Sequence, residues 1–541
     1  MKIEFEHRLP AMNIDGRHNG TYNNYELVMP GALTARDTRL GMFLHGLHNI
    51  IADDRRLVFI DGKKLGCSLN WIRDHVHEMK AFRHWEHDLR SFLDFIIETQ
   101  RADGQFYELI KQLDDRHWSF VNEDCRIIFE EDNLALVRLE LEADIEYLVV
   151  EGAYYVYKVT GDLNWLARVL PALERGIDYM TADPKRWEPS LGLVKRPFTI
   201  DTWDFAYGQP GTNRRIDPDT RMSVMHGDNT GVYQTMRQLA FFNRKLGHEE
   251  KAAHWERRAE VLKANIFKHL YNGRFFIHQL HLNHDGADNR ENERLSLSNA
   301  YALNRGIFTE EQGRRLVEEY ISRRQTTGAF AEWFSIDPPY ENFNGHTPGR
   351  YVNGAISPFT AGELARGAFN LGYEKYAWDI LCRFMDMMER DGKIVFLYTP
   401  DDCTPQDEQG PSAWGASTLL CAVDEGLAGI VDTDWGYREI AFSPRFPVTG
   451  YDELRYITGY EKTDTVVDLR YILREGGMRY DLHSPAERVD AHILLPEGKS
   501  AAEVYVNGEI IAWTPSRVYQ SDYVDFSVPG RACLSIEILF A

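Results

Sequence analysis

Two acidic segments far apart in the chain carry the residue types that acid–base chemistry needs. The first is Thr202-Trp203-Asp204-Phe205 and the second is Gln406-Asp407-Glu408-Gln409. Upstream of both lies Trp71-Ile72-Arg73-Asp74. Glycosidic bond cleavage needs one carboxylic acid to protonate the leaving oxygen. It needs a second carboxylate to activate a water on the opposite face of the sugar. An Arg beside an Asp offers matched donors and acceptors for sugar hydroxyls.

Asp204 falls in a long connection between a helix ending near Ala182 and one starting near Asn229. Connections of that length are functional or disordered, and Trp187, Trp203, Phe205 and Tyr207 are too many aromatics for disorder. A carboxyl beside an indole and a phenyl ring has the raised pKa of a general acid. Asp201 is its local competitor. Glu408 lies in the acidic, proline-rich loop Thr399–Pro411 and is read as the base. That loop lacks the alternating oxygen ligands and bend glycine of a calcium site. Arg73 and Asp74 open a helix, where the bland alternative is a helix-end ion pair. His75 and His77 are not spaced i, i+4 for a metal, and His281 and His284 are equally weak candidates. No metal or cofactor is expected. The sequence has no P-loop, no strand–G-x-G-x-x-G, no G-x-S-x-G elbow and no Cys-x-x-Cys.

These loops must be held by helices. Leu89, Phe92, Leu93, Ile96 and Ile97 recur at helical spacing. Similar segments lie near 143–160, 165–181, 230–247, 249–271, 309–324, 358–371, 373–390 and 413–430, with another near 38–51. Gly161, Gly247 and Gly372 each follow one such segment and precede the next, as C-cap glycines between paired helices do. Stacked helical hairpins of this kind close into a ring of six inner and six outer helices. Past Trp435 the pattern alternates every second residue, and Val506-Asn507-Gly508 is a hairpin signal. The expected organisation is an N-terminal mixed segment (1–65), a helical catalytic unit (66–434) and a β-sandwich-like unit (435–541).

Hydrophobic residues make up 43% of the 541 and charged residues 27%, the balance of a soluble globular protein. A net charge of −22 without a basic stripe argues against nucleic acid and anionic membrane as partners. No long apolar run suggests a membrane span, and the N-terminus does not read as a signal peptide. The six cysteines have no framework spacing and read as cytoplasmic thiols.

The chain resembles the six-hairpin, (α/α)6-barrel glycosidases, a group that includes glucoamylases, trehalases, processing glucosidases and rhamnosidases. Trp71-Ile72-Arg73-Asp74 is similar to the W-x-R-D of glucoamylases. Asp201-Thr202-Trp203-Asp204-Phe205 is similar to the G-W-D-F of trehalases. Asp407-Glu408-Gln409 with Pro411–Ser417 is similar to the A-E-Q…L-x-W-S-Y-A of glucoamylases. The resemblance implies an inverting exo-glycosidase acting on a small carbohydrate, with Asp204 as general acid and Glu408 as general base. Arg73 and Asp74 would hold the terminal sugar, with Trp71, Trp203, Trp333 and Trp414 around it. Trehalases carry G-K-x-V-E-K-Y with Glu as base, but Phe396 stands at that position in Gly392–Tyr398. Glu332, in Ala331-Glu332-Trp333, is the fallback base and otherwise a substrate contact. Alternatives are a disaccharide phosphorylase, with His346 and Arg350 toward phosphate, and an epimerase or idle sugar binder using His226, His281 and His346. The sequence leaves the sugar, the linkage and the oligomeric state open.

Overall fold

The computed structural model describes residues 39–113, 123–201, 216–285, 288–406 and 410–541. Among the described residues, twelve α-helices carry the fold. They are α1 (Arg39–Asp54), α2 (Ile72–Phe82), α3 (Ser91–Glu98), α4 (Ile145–Thr160), α5 (Leu163–Met180) and α6 (His226–Lys245). Then come α7 (Glu249–Leu270), α8 (Ser298–Ala302), α9 (Glu310–Thr327), α10 (Pro358–Asn370), α11 (Glu374–Asp391) and α12 (Ala413–Cys421). The even-numbered helices touch in a cycle: α2 on α4, α4 on α6, α6 on α8, α8 on α10, α10 on α12, and α12 back on α2. The odd-numbered helices flank them, α5 against α4 and α6, α7 against α6, α11 against α10, and α1 against α12.

Local chemistry explains the punctuation. Gly161 caps α4 at φ 58°, and the Asp162 side chain accepts the Trp165 N–H at 2.9 Å to start α5. Thr309 and Gln312 form a reciprocal capping box on α9. Ser357 caps α10 and Ser412 caps α12. The result is asymmetric. Each cycle helix from α2 to α10 leads to its flanking partner through a short link, two or three residues at 161–162, 246–248 and 371–373 and longer at 83–90 and 303–309. Each is entered through a long connection: 99–144 before α4, 181–225 before α6, 328–357 before α10, and 392–412 before α12. All long connections therefore gather at the N-terminal ends of the cycle helices, where the exposed N–H groups favour negative charge.

From Ile430 onward the chain is strand-rich. Ile430–Asp432, Glu439–Phe442, Arg488–Leu494, Ser521–Pro529 and Thr514–Val518 form one sheet. Glu453–Tyr460, Thr465–Arg474, Gly477–His483, Cys533–Phe540, Ala501–Val506 and Glu509–Ile510 form another. The expected hairpin is present: Val506 pairs Glu509, with Asn507 at φ 52° and Gly508 at φ 81°. The large core runs through both helices and sheets. A separate apolar cluster joins Phe198, Ile200, Tyr301, Phe359, Leu397 and Trp414 among its members. No described helix is long and apolar enough to cross a membrane.

Candidate active site

Trp203, Asp204 and Glu408 lie outside the described residues; the residues that hold both segments do not. Asp201 closes the described chain before Asp204. Its Oδ2 accepts the Ser298 backbone N–H at 2.9 Å, its Oδ1 accepts the Ser298 hydroxyl, and its own N–H donates to His278 Nε2 at 2.9 Å. Burial pushes its pKa up, but His226 and the hydroxyls of Ser296 and Ser298 outweigh that and hold it below the ordinary value. Asp201 thus caps α8 from across the structure, and its backbone turns there at φ 52°. Gly227, in the first turn of α6, packs against the Asp201 carboxylate and Ser298; a Cβ there would lie 2.4 Å from the Ser298 hydroxyl.

The second segment is held on both sides. The Gln406 N–H donates to the Leu397 carbonyl at 2.9 Å, and the Phe396 N–H donates to the Gly410 carbonyl at 3.2 Å. The Gln406 side chain accepts the Tyr351 N–H and donates to the Gly349 carbonyl, both at 2.9 Å. Only Asp407, Glu408 and Gln409 lie between the anchored residues. Just beyond, Trp414 at the start of α12 stacks on His77 (4.2 Å, 8°) and Phe359 (4.8 Å, 22°), and its Nε1–H donates to the Tyr301 hydroxyl at 2.7 Å. Phe198 and Ile200 before Asp201, and Leu397 and Trp414 beside Gln406 and Gly410, belong to the same apolar cluster. The roots of the two acidic segments therefore share one apolar cluster.

Beneath them is a buried charge network that the sequence did not reveal. Arg73 forks onto Asp144 at 2.5 and 2.9 Å and also pairs with Glu142. Arg196 bridges Glu142 and Asp228, each at 3.4 Å. Arg138 pairs with Glu108 at 2.8 Å and Glu146 at 3.2 Å. The Arg73 fork expected for sugar hydroxyls is thus engaged by carboxylates at the start of α4. Burial works against the charge on Asp144, but Arg73 holds its carboxyl below the usual range. Asp228, in the first turn of α6, goes the other way. Burial raises it to about 7 against the pull of Arg196, and the charges of Asp144 and Asp201 add to the rise. The native chain therefore keeps a proton that the unfolded chain, at 3.8, has lost. The stability this confers falls as pH rises from about 4 to about 7. Asp228→Asn should flatten that stretch of the urea midpoint plotted against pH; an unchanged slope would contradict the assignment.

The other expected contacts divide. Trp71 is half-buried at the N-terminal end of α2, with the Lys111 ammonium 5.5 Å from its ring. Asp74 is half-buried in the first turn of the same helix. Glu332 and Trp333 face the flanking helix α11 instead. Glu332 is fully buried, bound by Arg383 at 2.9 and 3.1 Å and by the Tyr376 hydroxyl. Trp333 is fully buried, stacked on Phe384 at 4.7 Å with the Arg383 guanidinium 4.3 Å from its ring. Packing claims both, so neither is available as a wall or a base. Glu332→Gln should keep kcat/KM within about tenfold while lowering stability by roughly 1–3 kcal/mol, the cost of an impaired buried hydrogen-bonded pair. A collapse in turnover with intact folding would restore Glu332 as the base. His226 is buried, its Nδ1 donating to the Ile277 carbonyl at 3.0 Å, and burial lowers its pKa to about 4. His281 lies 3.1 Å from His284 and 3.3 Å from Glu291. Neither is presented as an acid–base pair.

Residues 208–336 match the trehalase family model, that of a six-hairpin glycosidase family. Three solved rhamnosidases share the fold of this chain. That of Dictyoglumus thermophilum superposes with a TM-score of 0.56 at 13% identity, over 87% of this chain and 46% of its own. The Bacillus sp. GL1 enzyme gives 0.57 at 15% identity, over 88% and 44%. The Streptomyces avermitilis enzyme, complexed with L-rhamnose, gives 0.56 at 13% identity, over 92% and 41%. The chain thus spans less than half the length of each. No curated protein matches it in sequence. At these identities the superpositions show a shared fold.

Proposed function

We propose that the protein is an inverting exo-glycosidase built on an (α/α)6 barrel, with Asp204 as general acid and Glu408 as general base. The observation that carries this reading is the common apolar cluster under both acidic segments, at the end where the long connections gather. The closed cycle of even-numbered helices supports the barrel. Asp201 is spent on capping α8, which leaves Asp204 as the acid of its segment. The sequence-based boundary at 66 leaves out α1 (Arg39–Asp54), which flanks α12 in the ring, so the catalytic unit is taken to start at α1 and run to 434, with the β unit as 435–541.

In the reaction the Asp204 carboxylic acid donates its proton to the glycosidic oxygen as the bond to the anomeric carbon lengthens. The Glu408 carboxylate removes a proton from a water, which attacks the opposite face of the oxocarbenium-like centre. The helix N-termini and the buried arginines around Glu142, Asp144 and Asp228 fix the electrostatic surroundings and cost no reorganisation during the step. Asp74, Trp71 and Trp203 contact the terminal sugar, and Trp414 forms the floor. Arg73 acts through Glu142 and Asp144, as a positioning residue. Trehalose is a poor candidate, since Phe396 occupies the place of the trehalase base and packs its ring 5.3 Å from Phe359. The six free cysteines, three of them buried, suit a reducing cytoplasm and hence a small imported substrate.

One observation keeps a phosphorylase as second reading. The Gln406 side chain binds Gly349 and Tyr351, so Arg350 lies between two residues that touch the Glu408 segment. Incubation with aryl glycosides and disaccharides, α-L-rhamnosides among them, in phosphate-free buffer distinguishes the two. Cleavage without phosphate supports the hydrolase; cleavage only with phosphate replaces it by the phosphorylase.

A further inference from the structure

A second cavity, of about 410 Å³, lies at the opposite end of the helix cycle from the acidic segments. Its walls are the C-terminal halves of the cycle helices, and the strand-rich region closes one side through Asp432, Tyr437 and Tyr460. Tyr301 separates the two ends: it lines the cavity, while its hydroxyl accepts the hydrogen bond from Trp414.

The lining is charged in an unusual sense for this protein. Seven Lys and Arg side chains line the cavity against five Asp and Glu, in a chain of net charge −22. A buried chain of ion pairs runs from Lys80 to Glu363, Arg366, Glu425 and Arg83. Three cations there share two carboxylates. Arg305 is buried and donates to the Gly227 carbonyl and the Thr230 hydroxyl at 2.8 and 2.7 Å. Neither it nor the exposed Arg237 has an ion pair among the described residues. Cationic surplus in a walled, low-dielectric space attracts an anion strongly.

The same walls hold acceptors. Gln238 Oε1 and Asp432 Oδ2 are buried and make no hydrogen bond among the described residues. Buried acceptors left without donors are costly unless a ligand or water supplies them. Glu425 stands on a π-helical turn, Ala422–Leu427, that continues directly from the end of α12. Such turns recur at functional sites. The volume is that of a small-molecule pocket.

We infer that this cavity is a second binding site, for a small hydroxylated anion such as a sugar phosphate or a sugar acid. The oxyanion lies toward Arg305 and Arg237, and the hydroxyls donate to Gln238 and Asp432. The site is independent of the proposed glycosidase chemistry and would stand if that reading fell.

Titration calorimetry on the full chain tests it with four probes: glucose 6-phosphate, glucuronate, glucose and inorganic phosphate. One site per chain is expected for glucose 6-phosphate or glucuronate, whichever carries the preferred oxyanion, and weaker or no binding for glucose and inorganic phosphate. Arg237→Glu on the exposed rim and Gln238→Leu on the wall should each weaken that binding at least tenfold, with circular dichroism unchanged. Asp204→Asn should leave it unchanged. Absence of binding by all four probes overturns the inference. So does equal binding by both cavity variants, or loss of binding in Asp204→Asn, which would place the anion in the candidate active site.

Discussion

Asp204→Asn is expected to lower kcat/KM on an alkyl glycoside or disaccharide by ~10²–10⁴-fold, the range a positioned proton donor supplies. At 1.36 kcal/mol per decade that is about 2.7–5.4 kcal/mol of lost transition-state stabilisation. The thermal midpoint should barely move, since Asp201 and not Asp204 makes the capping bonds to Ser298. The defect should shrink on dinitrophenyl glycosides, whose leaving oxygen needs little protonation. That dependence on leaving group is the signature of a lost acid, and general damage to the site does not produce it. Normal turnover of an alkyl glycoside by a folded variant would remove Asp204 from the mechanism.

Glu408→Gln should cost as much on every substrate, because water must be deprotonated whatever the leaving group. Gln406 and Gly410 keep their backbone bonds to Leu397 and Phe396 in such a variant, so the segment stays in place. Azide, a nucleophile that carries no proton to remove, should restore turnover of dinitrophenyl glycosides and yield the glycosyl azide of inverted configuration. A loss confined to poor leaving groups would mark Glu408 as the acid instead. Unchanged activity would leave the protein without its proposed base.

Much of the helical scaffold was legible because its signals are local. The helices from α4 to α11 that were expected lie within a few residues of their positions, and the glycines at 161, 247 and 372 all adopt positive φ. Helix α8 escaped notice because five residues are too few to show a period; Asp201 caps it from 97 residues away. The network around Arg73 was illegible for the same reason. Asp144 lies 71 residues further on, in an alternating run from Glu140 to Glu146 that reads like one polar face of a strand. Carboxylates of that run are paired by Arg73 from the first turn of α2 and by Arg138 and Arg196 from two separate connections. Glu332-Trp333 had the composition of a sugar-binding wall, but Arg383 and Tyr376 on α11 turn it inward. The aromatic neighbours of Asp204 favoured it over Asp201 as the acid in the sequence, and the bonds to Ser298 and His278, invisible there, give Asp201 a structural role.

The most direct test is proton NMR of the first product formed from the best glycoside, in phosphate-free buffer, before mutarotation blurs the anomers. The account predicts free sugar whose anomeric configuration is opposite to that of the substrate, and no signal in Asp204→Asn over the same time. A first product that keeps the substrate's configuration would contradict it, because retention requires a carboxylate nucleophile and a covalent glycosyl-enzyme, not a water activated by Glu408.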